Sequence, residues 1–261
     1  MNPLSERKPG ELLVDVVIPV LNEAHVLARS VQTLRAFLAE KLPHRWRVVI
    51  VDNGSHDGTD AVGRTLAAEH SDVIFLHLDQ RGRGRALRHA WQQSDADIHS
   101  YMDVDLSTEL DALPRAVRAI LEQGYDIAVG SRLMGGSRVR RSFKREVISR
   151  LYNIFIKMVL GTRFSDAQCG FKVVTREVVE RIVPQVKDQA WFLDTEMLVL
   201  AEKEGYRILD MPVIWNEDDD SRVKIFSTAW EDIKGVLRLR RLLWSSQFAR
   251  DAVQNGKQAS P

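Results

Sequence analysis

The sequence predicts an α/β fold: a mixed, mostly parallel sheet with helices on both faces, joined late in the chain by two amphipathic helices. Three observations predict it. Short apolar runs alternate with stretches of helical period through the first half of the chain. The runs are continuous, as strands covered on both faces require. Turn formers and glycines stand where the runs end.

Leu12 to Leu21 is apolar apart from Asp15 and Pro19 and reads as the first strand. Asn22 to Glu40 is a helix with Val26, Leu27, Val31, Leu34 and Leu38 on one face. Trp46 to Val51 is the second strand, and the turn formers from Asp52 to Thr59 lead into a helix that ends near Glu69. Val73 to Leu78 is the third strand; Gly82 and Gly84 punctuate the approach to a helix from Arg85 to Gln93. Ile98 to Met102 is the fourth strand, Leu110 to Glu122 a helix and Asp126 to Val129 the fifth strand. Ser142 to Leu160 is a long helix with one apolar row at 143, 147, 151, 154 and 158 and a second at 148, 152, 155 and 159. Phe171 to Val174 and Tyr206 to Met211 are strands on either side of a helix from Leu193 to Glu204. Ala229 to Trp244 is the second amphipathic helix, with Lys234, Arg238 and Arg241 as a basic stripe. The expected organisation is one domain over 12–225 that includes helix 142–160, an interface helix within 226–247, and a disordered tail over 248–261.

Composition excludes several classes. Lys and Arg total 37 against 36 Asp and Glu, which argues against a nucleic-acid binder driven by bulk charge. Cys169 is the one cysteine, so no intrachain disulfide forms and a reducing compartment fits. None of the 7 histidines pairs with another at zinc-ligand spacing. No apolar run is long enough to span a bilayer, and Met1 to Glu11 lacks the apolar core of a signal peptide, so a cytoplasmic protein is expected.

The chemistry is concentrated at the ends of the strands. Asp103 and Asp105 follow the fourth strand two residues apart, where ligands of open α/β sheets bind. Two close carboxylates are costly to keep ionised without a cation. A hard divalent ion, Mg²⁺ or Mn²⁺, bridging to a diphosphate completes them. Asn22, Glu23 and Asp52, at the ends of the first two strands, offer donors and acceptors for a base and ribose; otherwise Asn22 caps a helix and Asp52 makes a turn. The loop Arg81-Gly82-Arg83-Gly84-Arg85 permits close approach of a phosphate at Gly84, or is a tight turn with solvated arginines. Leu87 stands where a dinucleotide fingerprint needs its third glycine, which disfavours hydride transfer. Arg132 ends the fifth strand and is expected in a wet cleft, its fork turned toward phosphate and its contribution to folding small. Arg140, Arg141, Lys144 and Arg145 mark the start of the first amphipathic helix. With the second helix they suit docking on an anionic membrane surface, burial in a core, or a homo-oligomer interface.

These pieces together resemble the family 2 glycosyltransferases of the polyprenyl-phosphate type. The resemblance rests on VVIPVLNE, VDNGSHDGT, RGRGRAL, MDVDLST, VGSR, SDAQCGFK, WFLDTEM and VIWNEDDDSRVKI, in that order from Val16 to Ile225. The pieces around Cys169 and Asp194 are closer to the dolichyl-phosphate glucose synthases than to the mannose synthases. The resemblance implies a GT-A fold, a nucleotide diphosphate sugar as donor and a polyprenyl phosphate as acceptor. It places Pro19, Asn22, Glu23 and Asp52 at the nucleotide, Asp103 and Asp105 at the metal and diphosphate, and Arg132 at phosphate. Ser221 and Arg222 stand where a segment closes over the donor, although lysine is usual at the second position and Lys224 lies nearby. Asp166, Asp194 and Glu196 fall in shared motifs and orient sugar or acceptor, or form structural ion pairs. Two departures from the family pattern are expected: many relatives add transmembrane helices after the domain, whereas no apolar run of that length stands in this sequence, and Ser107 stands where the mannose branch commonly has glutamine.

The expected activity is inverting transfer of a hexose, glucose from UDP-glucose, to a polyprenyl monophosphate, peripherally at the cytoplasmic membrane face. The alternatives are GDP-mannose-dependent mannosyl transfer, a sugar nucleotidyltransferase, and a non-catalytic nucleotide-sugar-binding scaffold.

Overall fold

The computed structural model describes residues 4, 10–140, 142–216 and 230–245. Ser221, Arg222, Arg141 and the expected tail lie outside the described residues.

The first half folds as the alternation dictates. Strands β1 (Leu13–Val20), β2 (Arg45–Asn53), β3 (Val73–Leu78) and β4 (Ile98–Met102) alternate with helices α1 (Ala24–Lys41), α2 (Thr59–Glu69) and α3 (Arg83–Gln93). Helix α4 (Ala112–Gln123) leads to β5 (Ile127–Ser131). The short β6 (Arg138–Arg140) precedes α5 (Phe143–Leu160), then β7 (Phe171–Thr175), α6 (Arg176–Arg181), α7 (Leu193–Lys203), β8 (Ile208–Pro212) and β9 (Ile214–Asn216). A final helix, α8, occupies 230–245.

The main sheet has the order β3-β2-β1-β4-β7-β5-β8. All its pairings are parallel except those of β7, which runs antiparallel between β4 and β5. Side chains alternate across each strand. Val17, Val49, Val51, Ile127 and Val129 pack toward α3, α5, α7 and α8, while Val16, Ile18, Val48, Ile50 and Ala128 pack toward α1, α2 and α4. Pro19 falls beyond Val17, the last β1 residue paired with β4, so its missing N–H sits where that ladder has ended.

Two consequences of topology position the site. The order in which strands are added reverses about β1, with β2 on one side and β4 on the other, and ligands bind at such switch points. The antiparallel β7 begins opposite the end of β4, with Phe171 against Met102. The residues just before it, Gln168 to Gly170, are thereby delivered to the carboxyl ends of the parallel strands.

Remote from that edge, His99 on β4 is fully buried, and neither ring nitrogen has a hydrogen-bond partner among the described residues. Burial chiefly pushes its pKa down to about 4, reinforced by Arg176 and Arg47 and opposed by Asp15. The unfolded chain therefore takes up a proton near pH 6.5 that the folded state refuses until about 4, so stability is lost as pH falls through that window. The expected loss between pH 7 and pH 5 is about 2 kcal/mol. Urea unfolding of wild type and His99→Leu at both pH values measures it; an equal pH dependence in the two proteins would remove His99 from the account.

Candidate active site

The loop after β4 is held in one shape. Asp105 Oδ1 accepts from the Ser107 N–H at 3.0 Å, and the Asp103 carbonyl accepts from the Leu106 N–H at 3.1 Å. Leu106 has φ 52°, a left-handed conformation that costs a leucine about 1–2 kcal/mol. The following residues are tied to β9: the Ser107 carbonyl accepts from the Asn216 N–H and Glu109 N–H donates to the Ile214 carbonyl. The strained turn is thus fixed from outside, with Asp105 exposed and Asp103 half-buried.

Asp103 is one end of a buried ionic network that sequence reasoning missed. Arg83, in the first turn of α3, donates from Nη2 to Asp103 Oδ1 at 2.5 Å and from Nη1 to Asp194 Oδ2 at 3.1 Å. Its guanidinium lies 4.9 Å from the Tyr101 ring centroid and 4.8 Å from that of Trp191. Asp194 Oδ1 accepts from the Tyr101 hydroxyl at 2.5 Å and lies 3.1 Å from Lys172 Nζ. Tyr101 and Lys172 are cross-strand partners, both fully buried. Burial opposes the charge on Arg83, but Asp103, Tyr101 and Asp194 together outweigh it and its pKa is raised. Burial and then Asp194 hold the Tyr101 hydroxyl well above its ordinary value, so it stays a donor. Tyr101 read in the sequence as a strand residue, and Lys172 and Arg83 stood inside motif pieces with no role assigned to either.

Glycine is required where this network is tightest. A Cβ on Gly170 would stand 1.8 Å from Asp103 Oδ2. One on Gly84 would stand 2.8 Å from the Ala190 carbonyl oxygen and 2.9 Å from Leu193 Cβ. Gly84 is therefore accounted for by packing of the glycine loop on the segment before α7.

Arg132 corrects an expectation. Its fork is not open to a wet cleft: Nε and Nη2 grip Asp166 at 2.7 and 3.0 Å, its N–H donates to the same carboxylate at 3.1 Å, and its guanidinium lies 5.0 Å from the Trp215 ring centroid. The side chains are 13% and 0% exposed. A charge this enclosed contributes to folding, contrary to the sequence reading. Burial works against ionisation of Asp166, yet Arg132 overcomes it and the carboxyl titrates below the usual range. Asp103 and Cys169 also act on Arg132 electrostatically, which places this pair beside the first network. Burial pushes the Cys169 thiol up to about 12, so it is no nucleophile at neutral pH.

The first two strands end in a second polar cluster. Asp52 is fully buried; Oδ1 accepts from the Ser55 N–H at 3.1 Å and Oδ2 meets His77 Nδ1 at 2.7 Å. The hydrogen bond that Asp52 accepts, with help from Asp79, raises the His77 pKa. His77 was not singled out in the sequence. Asn22 does not cap α1: it sits at φ 58° and its Oδ1 accepts from the His56 N–H at 2.8 Å. The N–H groups of Asn22, Glu23 and Ala24 donate to Ser55, Thr59 and Asp57. The loops after β1 and β2 are thus laced into one edge. Asn53 Oδ1 accepts from the Gly82 N–H at 2.7 Å and joins this edge to the glycine loop carrying Arg83.

Glu196 has a different setting. It is fully buried, with its oxygens taken by Arg238 of α8 at 3.0 and 2.8 Å and by the N–H groups of Lys187 and Asp188. This arrangement ties α8 to α7. Arg140, Lys144 and Arg145 lie on β6 and in the first turn of α5, apart from these networks.

Among the described residues no group of three or more His, Cys, Asp or Glu could hold a metal. Asp103 and Asp105 still offer a hard, oxygen-only pair. Mg²⁺ is commonly held by one or two carboxylates plus substrate phosphates, so the donor set fits a divalent cation whose remaining ligands a diphosphate supplies. Two carboxylates, confined cations and a polar edge laced from the loops after β1 and β2 suit a donor with a diphosphate.

Comparison with known proteins gives the same direction. Glycosyltransferase AglD of Haloferax volcanii is 36% identical over 228 residues, covering 85% of this chain and 36% of that protein. Dolichyl-phosphate beta-glucosyltransferases of Trichomonas vaginalis and Dictyostelium discoideum are 28% and 30% identical, covering 93% and 88% of this chain and 76% and 74% of theirs. The chain thus spans about a third of the Haloferax protein and about three quarters of the other two. Glucosyl-3-phosphoglycerate synthase from Mycobacterium tuberculosis, solved with UDP, superposes with a TM-score of 0.69 at 17% identity over 88% of this chain and 80% of that one. The likeness establishes a GT-A-like glycosyltransferase fold. Residues 15–183 match the family described as Glycosyl transferase family 2, and the chain belongs to it.

Proposed function

We propose that this chain transfers a hexose, glucose from UDP-glucose, to a polyprenyl monophosphate at the cytoplasmic face of a membrane, with Mg²⁺ or Mn²⁺. The observation that carries the reading is the Asp103–Asp105 pair at the end of β4, flanked by Arg83 and next to the edge built on Asp52. The names of the dolichyl-phosphate beta-glucosyltransferase relatives support the hexose and the acceptor. The Mycobacterium synthase solved with Mn²⁺ and UDP-glucose supports the donor and the metal.

The chemistry asks little of a base. A phosphate monoester has its second pKa near ~6 and is largely dianionic at neutral pH. Its oxygen attacks the anomeric carbon as the bond to the diphosphate breaks, inverting that centre and releasing UDP. A cation on Asp103 and Asp105 supplies neutralisation of the departing charge when bound. Asp52, Asn22 and Glu23 hold the nucleoside, Asp194 and Lys172 fix Arg83, and Arg132 sets the charge at the end of β5. Transfer assays with UDP-glucose, GDP-mannose and UDP-galactose against short polyprenyl phosphates test the reading. UDP release that depends on the lipid phosphate is expected; pyrophosphate release, or binding without turnover, would replace it.

A surface on α5 and α8 supports the membrane face. On α5, Tyr152, Phe155 and Val159 of the second apolar row pack on the core, whereas Leu151 and Met158 of the first are 61% and 73% exposed. On α8, Val236 and Leu239 are buried while Trp230 and Trp244 are 59% and 62% exposed. Both helices are held in place by the body of the fold. Tyr152 of α5 hydrogen-bonds Thr195 of α7, and Gln168 donates to Asp232 of α8. Burial lifts that carboxyl to about 6 against the Gln168 bond. Lys144 and Arg145 sit at the amino end of α5, where positive charge opposes the helix dipole, so helix stability does not explain them. No described helix is long and apolar enough to cross a membrane. Sedimentation with phosphatidylserine vesicles is expected to capture the protein at low salt and to weaken as salt rises. Replacing Arg140, Arg141, Lys144 and Arg145 with Gln is expected to weaken capture by about 3–4 kcal/mol at low salt. Indifference to anionic vesicles, or a dimer that covers both apolar rows, would move this surface to a protein interface.

A further inference from the structure

The ionic network poses a conflict at Asp103. The carboxylate read as a metal ligand already holds a cation, because Arg83 Nη2 lies 2.5 Å from Oδ1. A guanidinium and a divalent ion cannot share that oxygen without strong like-charge repulsion. The other side of the carboxylate is closed by backbone, with Gly170 so near that a Cβ would stand 1.8 Å from Oδ2. Arg83 has few other places to go. Its second arm is on Asp194, which Lys172 and Tyr101 already neutralise and hydrogen-bond. Rings enclose it at Tyr101 and Trp191, and the side chain is 11% exposed. Of these partners Trp191 reaches solvent, at 40% exposed. The glycine loop is fastened to the same segment by the Arg85 N–H to the Gln189 carbonyl at 3.0 Å.

We propose that Arg83 is the resident cation of Asp103 in the donor-free protein, and that it gives up this carboxylate only to a diphosphate, so the metal binds with the nucleotide and not before it. The inference rests on the reading of Asp103 and Asp105 as the nucleotide-sugar site. A divalent ion arriving alone adds two positive charges beside a guanidinium still paired with Asp103 and brings no anion for it to move to. A nucleotide diphosphate brings the missing negative charge, and its oxygens match the planar fork that leaves Asp103. Arg83 is then a positioning residue with opposite effects on two ligands: it competes with metal alone and assists nucleotide with metal.

That opposition is the test, and a merely structural arginine would not produce it. Mn²⁺ binding is measured by titration, without nucleotide and with UDP, for wild type, Arg83→Gln and Arg83→Lys. Arg83→Gln is expected to bind Mn²⁺ alone at least about tenfold more tightly than wild type, and UDP in the presence of Mn²⁺ at least about tenfold more weakly. Arg83→Lys keeps the charge without the fork and is expected to show the same two signs with smaller size; it carries the test if Arg83→Gln does not fold. Tryptophan emission supplies a second readout. The part of the signal lost in Trp191→Phe is expected to respond to Mn²⁺ with UDP and not to Mn²⁺ alone. If removing Arg83 leaves Mn²⁺ binding unchanged or weaker, the inference is wrong while the nucleotide site stands. If wild type binds no UDP with Mn²⁺, the reading of the site itself fails.

Discussion

Asp103→Ala and Asp105→Ala are each expected to lower hexosyl transfer at least about a hundredfold while the protein stays folded. Both side chains lie at the carboxyl end of β4, at the switch point of the sheet, and neither supports the core: Asp105 is exposed and Asp103 half-buried. What they provide is charge at the place where a diphosphate must depart, and loss of a preorganised charge there acts on the transition state more than on binding. The two variants should differ in one respect. Asp105→Ala leaves the Arg83–Asp103 pair intact. Asp103→Ala strips Arg83 of one of its two carboxylates and is the more disruptive to the network. A chelator should reproduce the loss in wild type, and added Mg²⁺ or Mn²⁺ should reverse it. Circular dichroism and thermal unfolding verify the fold, and initial rates of UDP release give the activity. Wild-type turnover by Asp105→Ala, or by wild type in excess chelator, would end the assignment of these carboxylates.

The sequence carried the frame of the site and little of its wiring. Each strand of the first half was legible because a continuous apolar run bounded by turn formers has few other readings, and the ends of those strands gave Asp52, Asp103 and Asp105. The direction of β7 was not legible. Phe171 to Val174 is a short apolar run like the others, and only its pairing with Met102 and Val129 shows that it enters antiparallel. That reversal brings Cys169, Gly170 and Lys172 to the site, so none of them could be placed beforehand. Strands β6 and β9 are too short to show a period. Arg83 was hidden for another reason: among Arg81, Arg83 and Arg85, only the fold decides which arginine turns inward. Of the apolar rows on α5, the sequence defined both but could not say that Leu151, Ile154 and Met158 would stand exposed.

Arg132 shows how a correct motif can carry a wrong physical setting, and it makes the largest stability prediction. The sequence placed it at the end of β5, where the structure has it, but its partner Asp166 lies 34 residues away in the chain. Arg132→Ala is expected to destabilise the protein by about 3–5 kcal/mol, because it leaves a fully buried carboxylate without its counter-charge. Asp166→Ala should cost a similar amount by stranding the guanidinium. The double variant should cost less than the sum, since no charge is then left unpaired. Arg132→Lys keeps a charge but not two parallel bonds, nor the flat contact with Trp215, and should fall between wild type and Arg132→Ala. The pH sign follows from Asp166. Its folded pKa is held below the ordinary carboxylate range, so the pair's contribution is complete above that range and disappears as pH falls through the depressed value. The loss assigned to His99 begins near pH 6.5 and is complete by about 4, so the two groups fail in separate acid windows. Urea unfolding of the four proteins at pH 7 measures the coupling. If Arg132→Ala and Asp166→Ala each cost under about 1 kcal/mol, the pair contributes no more than a solvated surface bridge, and the small contribution to folding that the sequence reading gave Arg132 stands.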